Sequence, residues 1–262
     1  MMEKEGSRYH VAALAKGLAV IQAFGKDAQA LTLTQVAASS GLTRPGARRY
    51  LLTLRDLGFV GSAGREFHLT PKCLALGYAY LSSVPLWHFA QPVLEQLVED
   101  IGETCSVTVL DGTEVVFVQR IPRQRMLSFG VTTGSRLPAY CTSMGRTLLA
   151  GLPPTQLDAY FATLQPTRFT AKTQLDRRTL RKIVERDRKR GYSIVCEELE
   201  ERLTGVSVAV RDARGATIAA LNASVLRPFR SEAALLRPIL PRLLRAAEKL
   251  GTSVATRAAP RA

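Results

Sequence analysis

Histidine, cysteine and acidic side chains are all in short supply. Only His10, His68 and His88 occur in 262 residues, so the stretch 89–262 has no histidine. That excludes a Ser-His-Asp or Cys-His catalytic arrangement in the larger, C-terminal part, and a histidine-bound metal there. The four cysteines, Cys73, Cys105, Cys141 and Cys196, lack any C-x-x-C spacing. This argues against a disulfide framework or zinc knuckle and for reduced thiols in a cytosolic protein. Cys105, Cys141 and Cys196 could form a thiol site with Glu197, but buried structural cysteines are far commoner. No phosphate-cradling G-x-x-x-x-G-K-[ST] pattern is present, and neither a cofactor nor a metal is expected. No apolar run approaches the roughly 18–20 residues that cross a bilayer. Val11 to Phe24 could pass for a signal peptide, yet Lys16 and Gln22 interrupt it. Leu14, Leu18, Ile21 and Gly25 fall instead at helical spacing.

Base is plentiful where acid is not. Thirty-six Lys and Arg stand against 22 Asp and Glu, a net charge of +14. Such an excess favours a polyanionic partner, nucleic acid or an acidic membrane surface, without choosing between them. The length suits two domains, and Ser82-Ser83-Val84-Pro85 marks a boundary. Residues 1–83 carry 10 basic and 5 acidic residues, and 84–262 carry 26 and 17, so total charge does not say which part binds what. Local distribution does: between Asp27 and Asp56 there is no acid, yet Arg44, Arg48, Arg49 and Arg55 all fall there.

The N-terminal part reads as three helices and a hairpin. A first helix covers about Val11 to Phe24, and a short second one covers Thr34 to Ser39, with Val36 and Ala37 inward. After a turn at Gly41-Leu42, Thr43 is an N-cap for a third helix, in whose first turn Pro45 is tolerated. Ala47, Tyr50, Leu51, Leu54 and Leu57 share one face of that helix. Arg44, Pro45, Gly46, Arg48, Arg49 and Thr53 make up the other. One side is apolar enough to dock on its own domain; the other is small and cationic enough for a major groove about 12 Å wide. Thr34 and Thr43, at helix starts, can hold phosphates. Gly58 to Val60 and Glu66 to Leu69 flank a Gly-rich turn at 61–64, a hairpin from which Arg65 would reach the flanking backbone as a wing. A solvated, inert helix face is the plainer alternative. Helix, glycine turn, acid-free helix and hairpin in this order favour DNA.

The C-terminal part mixes periods. A helix at Leu86 to Ile101 precedes strands at Cys105 to Leu110 and Glu114 to Arg120, joined by an Asp111-Gly112 turn. A strand near Met126 to Val131 leads to helices at Ser143 to Ala150, Pro154 to Thr163 and Asp176 to Arg190. Strands at Tyr192 to Val195, Thr204 to Arg211 and Thr217 to Ser224 follow, then a helix at Glu232 to Leu250. This alternation is that of an antiparallel α+β sensor domain. Arg120, Arg123, Arg125 and Arg136 surround the second and third strands. They could neutralise a carboxylate, although such residues more often form solvated edges or pair with Glu197, Glu198, Glu200 and Glu201. The helix Asp176 to Arg190, with eight basic and three acidic residues, reads as a solvated face.

Several stretches resemble the IclR-type transcription regulators. They are Val11-Ala12-Ala13-Leu14-Ala15-Lys16-Gly17-Leu18-Ala19-Val20, the helix from Gly41 to Leu54, and the wing edges Leu57-Gly58-Phe59-Val60 and Leu69-Thr70-Pro71. The likeness continues through Gly77 to Leu81, Cys141 to Arg146 and Gly191-Tyr192. It implies a winged helix-turn-helix over 1–70, a linker helix over 71–83, and a GAF-like antiparallel α+β effector and oligomerisation domain over 84–256. Arg136-Leu137-Pro138-Ala139-Tyr140 with Thr142 to Arg146 is similar to the branch of PcaR, PcaU and PobR, regulators of protocatechuate and para-hydroxybenzoate catabolism. The branch implies a double-stranded operator, a small aromatic or dicarboxylic acid as effector, a homodimer or homotetramer, no membrane and no enzymatic activity. Effector-contacting positions of the family map onto Ser143, Met144, Gly145, Cys196, Leu203, Gly205, Asn222 and Ser224. Gly145 at a helix start would offer a backbone N–H to a carboxylate. Cys196 stands where relatives commonly have Asp and Ala209 where they often have Pro, which leaves the effector open. A sensor binding membrane or RNA without sequence preference, or a small-molecule enzyme, are the competing readings.

Overall fold

In the computed structural model the described residues are 9–25, 28–84, 86–123, 130–226 and 231–255. Contacts divide the chain into two units, Met1–Leu81 and Ser82–Ala262.

The first unit begins with α1 (Ala12–Gln22), β1 (Ala30–Thr32) and α2 (Leu33–Ser40). Helix α2 starts before Thr34: Thr32 is its cap, in a reciprocal capping box with Gln35, which satisfies two otherwise orphaned donors. Gly41 ends α2 in the left-handed region, φ 67°, where glycine carries no Cβ penalty. Thr43 then caps α3 (Arg44–Asp56), accepting from the Gly46 N–H at 3.3 Å. The core joins Val20 of α1, Phe24 just after it, Val36 and Ala37 of α2, Ala47, Leu51 and Leu54 of α3, and Leu31 and Val60. One expectation about facing fails: Leu57, the residue after α3, is 54% exposed. On α1, Leu14 and Leu18 point outward, 63% and 46% exposed, while Val20, with Phe24 just beyond the helix, fills the core.

The wing is a hairpin of β2 (Val60–Ala63) and β3 (Glu66–Leu69) turning at Gly64-Arg65, so Gly61 to Ala63 are strand and not turn. β1 adds a third strand, giving the order β1-β3-β2. A 3-10 turn at Pro71–Cys73 and α4 (Leu74–Ser83) follow; α4 buries no residue.

The second unit is one six-stranded antiparallel sheet, ordered β6-β5-β4-β9-β8-β7. Its strands are β4 (Thr104–Asp111), β5 (Glu114–Ile121), β6 (Arg136–Pro138), β7 (Tyr192–Cys196), β8 (Leu203–Arg211) and β9 (Thr217–Leu226). The strand expected near Met126 to Val131 lies mostly outside the described residues, and Gly130 and Val131 are not in a strand. Helices α5 (Leu86–Ile101) and α9 (Glu232–Ala255) pack on each other and on the sheet. Helix α6 (Ser143–Ala150) packs against β7, β8 and β9 and shares a core with α7 (Pro154–Thr163) and α8 (Arg177–Arg190).

One row across this sheet is polar where a buried face is ordinarily apolar. Strand register aligns Arg120 with Ser106, Ser106 with Asn222, Asn222 with Ser207, and Ser207 with Ser193. Ser106, Asn222, Ser207 and Ser193 are fully buried.

Candidate nucleic-acid interface and effector cavity

The polar face of α3 is presented as its cap and core dictate. With Ala47, Leu51 and Leu54 buried, the 3.6-residue period turns Arg44, Pro45, Arg48, Arg49 and Thr53 to solvent and leaves Gly46 half-buried. None of Arg44, Arg48 and Arg49 forms an ion pair with a described residue, whereas Arg55 meets Asp56 at 3.6 Å. The face thus carries three guanidinium groups that no described acid neutralises. The Thr53 hydroxyl bonds back to the Arg49 carbonyl at 3.0 Å. Thr34 is exposed in the first turn of α2, and Arg65 at the tip of the wing. A groove of about 450 Å³ between α1 and α3 is lined by Lys16, Thr43, Gly46, Arg49, Tyr50 and Thr53, among others. Lys16, exposed on α1, joins Arg49 as a second cation in this groove. Sequence reading treated it only as an interruption in an apolar run.

In the second unit a cavity of about 230 Å³ opens between the sheet and the start of α6. Of the eight expected effector positions, Ser143, Met144, Leu203, Gly205, Asn222 and Ser224 line it; Gly145 and Cys196 do not. Thr142 caps α6, and the Gly145 N–H donates to its hydroxyl at 3.2 Å, so that donor is already engaged. Gly145 has another reason to be glycine: a Cβ there would overlap the backbone of Ala139. Cys196 closes β7 half-exposed, with its thiol pushed up by burial. Gly205 leaves the space that the Ser143 hydroxyl occupies. The Ser143 Oγ and Asn222 Oδ1 atoms are buried without a hydrogen-bond partner among the described residues, while the Asn222 amide donates to Ser224 Oγ at 3.3 Å.

The remaining lining is largely apolar, with Phe117, Val131, Leu137, Val195 and Leu199, and it includes Cys141, whose thiol burial pushes up to about 12. Glu198 is neutralised by Arg146 at 2.7 Å in a pair whose side chains are 11% and 3% exposed. Arg146 also donates to the Tyr140 carbonyl at 2.8 Å. Glu197 is paired with Lys172. The glutamates that were alternative partners for the sheet arginines are in these two cases taken by others. The four sheet arginines separate accordingly. Arg136 is bound to Glu114 and Asp111, each at 2.7 Å, Arg123 donates to the Gly102 carbonyl, and Arg125 lies outside the described residues. Of the three described, Arg120 lines the cavity, with a buried Nε that has no partner among the described residues.

Comparison with known proteins agrees with both halves. Residues 13–63 match the IclR helix-turn-helix domain and residues 78–252 the C-terminal domain of bacterial IclR transcriptional regulators. The Pca regulon regulatory protein of Pseudomonas putida is 40% identical over 240 residues, 90% of this chain and 82% of its own. The p-hydroxybenzoate hydroxylase transcriptional activator of Acinetobacter baylyi is 40% identical over 218 residues, 81% and 80% of the two chains. The crystal structure of a transcriptional regulator from Rhodococcus sp. RHA1 superposes with a TM-score of 0.82 at 43% identity, covering 94% of this chain and 99% of that one. An IclR homologue from Microbacterium hydrocarbonoxydans, solved with 4-hydroxybenzoate, gives 0.80 at 25% identity, covering 95% and 100%. A winged helix-turn-helix, an antiparallel α+β effector domain and these relatives lead to one conclusion: the chain belongs to the IclR family of bacterial transcriptional regulators, proteins that bind DNA and answer to a small molecule, and it is not an enzyme.

Proposed function

We propose that this regulator acts in the cytoplasm as a homodimer or homotetramer, reading a double-stranded operator and adjusting transcription of aromatic-acid catabolic genes to the level of a small aromatic or dicarboxylic acid. In this reading 1–70 reads DNA, 71–83 is the linker helix and 84–256 holds the effector and joins subunits. Arg44, Arg48 and Arg49 reach the major groove, and Pro45 and Gly46 let the helix start approach closely. Thr34, Thr43 and Thr53 meet the backbone, and Arg65 the flank. Ser143, Met144, Leu203, Gly205, Asn222 and Ser224 surround the effector. Gly145 and Cys196 support this wall from behind.

The observation that carries the reading is an unneutralised arginine face on a capped helix, in one chain with a mostly apolar cavity that leaves polar atoms unpaired. Assembly is supported by exposed apolar side chains. Val11 precedes α1, Leu14 and Leu18 lie along it, and Leu74, Leu76 and Tyr78 lie along α4, each between 46% and 74% exposed. Exposed apolar stripes of this kind mark interaction sites. Fluorescence anisotropy tests the proposal, using the promoter fragment and a scrambled duplex at several salt concentrations, with and without para-hydroxybenzoate, protocatechuate and oxoadipate. Preference for the promoter, changed by one of the acids, is the expected result. Equal affinity for both duplexes would return the chain to sequence-independent binding.

A further inference from the structure

The cavity's charges identify the kind of acid it accepts, an inference that rests on the proposed effector reading. Arg120 projects from β5 into the cavity and is held near the Phe117 ring, its guanidinium carbon 6.0 Å from the ring centroid. It forms no ion pair with any described residue, and burial lowers its pKa. A half-buried guanidinium without an anion carries an uncompensated desolvation cost that a bound carboxylate would offset. The other lining charges are not available in the same way. Glu198 is held by Arg146, and Glu200 is a second acid whose carboxyl burial pushes up.

Across the sheet from Arg120, beyond Ser106 on β4, lies Asn222 on β9. Two strand spacings separate them, about 10 Å between Cα atoms. At that far end Asn222 Oδ1 and Ser143 Oγ await hydrogen bonds. The walls between are apolar, and about 230 Å³ exceeds the roughly 150 Å³ of an apolar cavity that holds benzene. The surplus suits small substituents.

We propose that Arg120 reads the effector's charge: it grips the one carboxylate of an aromatic monoacid whose ring fills the apolar middle and whose hydroxyl turns to Ser143 and Asn222. A dicarboxylate is disfavoured, because its second anion would lie beside the Glu200 carboxyl and meet no second free cation among the described lining residues.

Calorimetry on the full-length chain tests this with para-hydroxybenzoate, its uncharged amide para-hydroxybenzamide, and adipate. The unaltered protein should bind the acid at least ~10-fold tighter than the amide or adipate, as expected for a charge-assisted hydrogen bond. Arg120→Gln should weaken the acid by ~10-fold or more and leave the amide within about threefold, so the acid-over-amide ratio collapses. Loss of fold alone would lower both ligands together. Should Arg120→Gln fail to fold, Arg120→Lys, which keeps the charge without the planar fork, carries the test and should cut the ratio at least ~3-fold. An unchanged ratio in the folded variant overturns the role of Arg120 and leaves the regulator reading intact. Adipate binding as tightly as the acid overturns the monoacid assignment alone. If the unaltered chain binds neither acid nor amide, the aromatic-acid reading falls, and this proposal with it.

Discussion

Gly145 shows how a single atom decides a wall of the cavity. A methyl group there has no space against the Ala139 backbone, and backbone cannot swing aside as a side chain does. Gly145→Ala should therefore cost about 1–3 kcal/mol in urea unfolding, within the usual range for overpacking, and weaken effector binding through displacement of Ser143 and Met144. An unshifted midpoint would show that the helix start yields more easily than its packing suggests. Family likeness pointed to Gly145 but for a different reason, because an N–H near a helix start is free only if no cap has taken it, and Thr142 has. Arg120 was visible in the sequence as one of four arginines around two strands. What separates it from Arg123 and Arg136 is the strand order that brings β9 beside β4, a contact between residues about a hundred positions apart that no local pattern encodes.

Elements were more legible than the way they face. Helix α3 was readable almost to its ends because Gly41, Thr43 and Pro45 act within a few residues of themselves. In α1, apolar residues exceed what one face can bury, so the helical spacing of Leu14 and Leu18 did not say which face turns inward, and Val20 is the one covered. In the wing, Gly-Ser-Ala-Gly is too small and uniform to reveal that three of its residues are paired to β3. Under the proposed reading of DNA, the groove beside α3 divides two kinds of contact. Arg49→Ala should cost about 1–3 kcal/mol on the operator and flatten its preference over a scrambled duplex. Lys16→Gln should weaken both duplexes alike and shallow the plot of log affinity against log salt by about one ion. A footprint unchanged by Arg49→Ala, or selectivity lost with Lys16→Gln, would contradict this assignment.

At the scale of the whole molecule, an α+β chain of two units was plain from the order of periods, and the division at Leu81 falls beside the small polar residues Ser82 and Ser83. The resemblance implied an oligomer, but the surface proposed for it was not legible, because exposed leucines on α1 look the same in sequence as buried ones. Leu14→Glu with Leu18→Glu should leave each unit folded, lower the sedimentation coefficient and weaken operator binding at least ~10-fold by loss of paired half-sites. Unchanged sedimentation would place the subunit contact elsewhere. The row of hydroxyls under α6 has a practical side. Ser193 sits in it with a buried oxygen that finds no partner, at the β7 end of the row, away from Arg120 and the cavity. Unmade hydrogen bonds of this sort burden the folded state. Ser193→Ala should raise the melting temperature by a few degrees, equivalent to about 1 kcal/mol, and leave effector affinity as it was. Anyone turning such a regulator into a field biosensor could gain heat tolerance at that seam without retuning what the sensor hears.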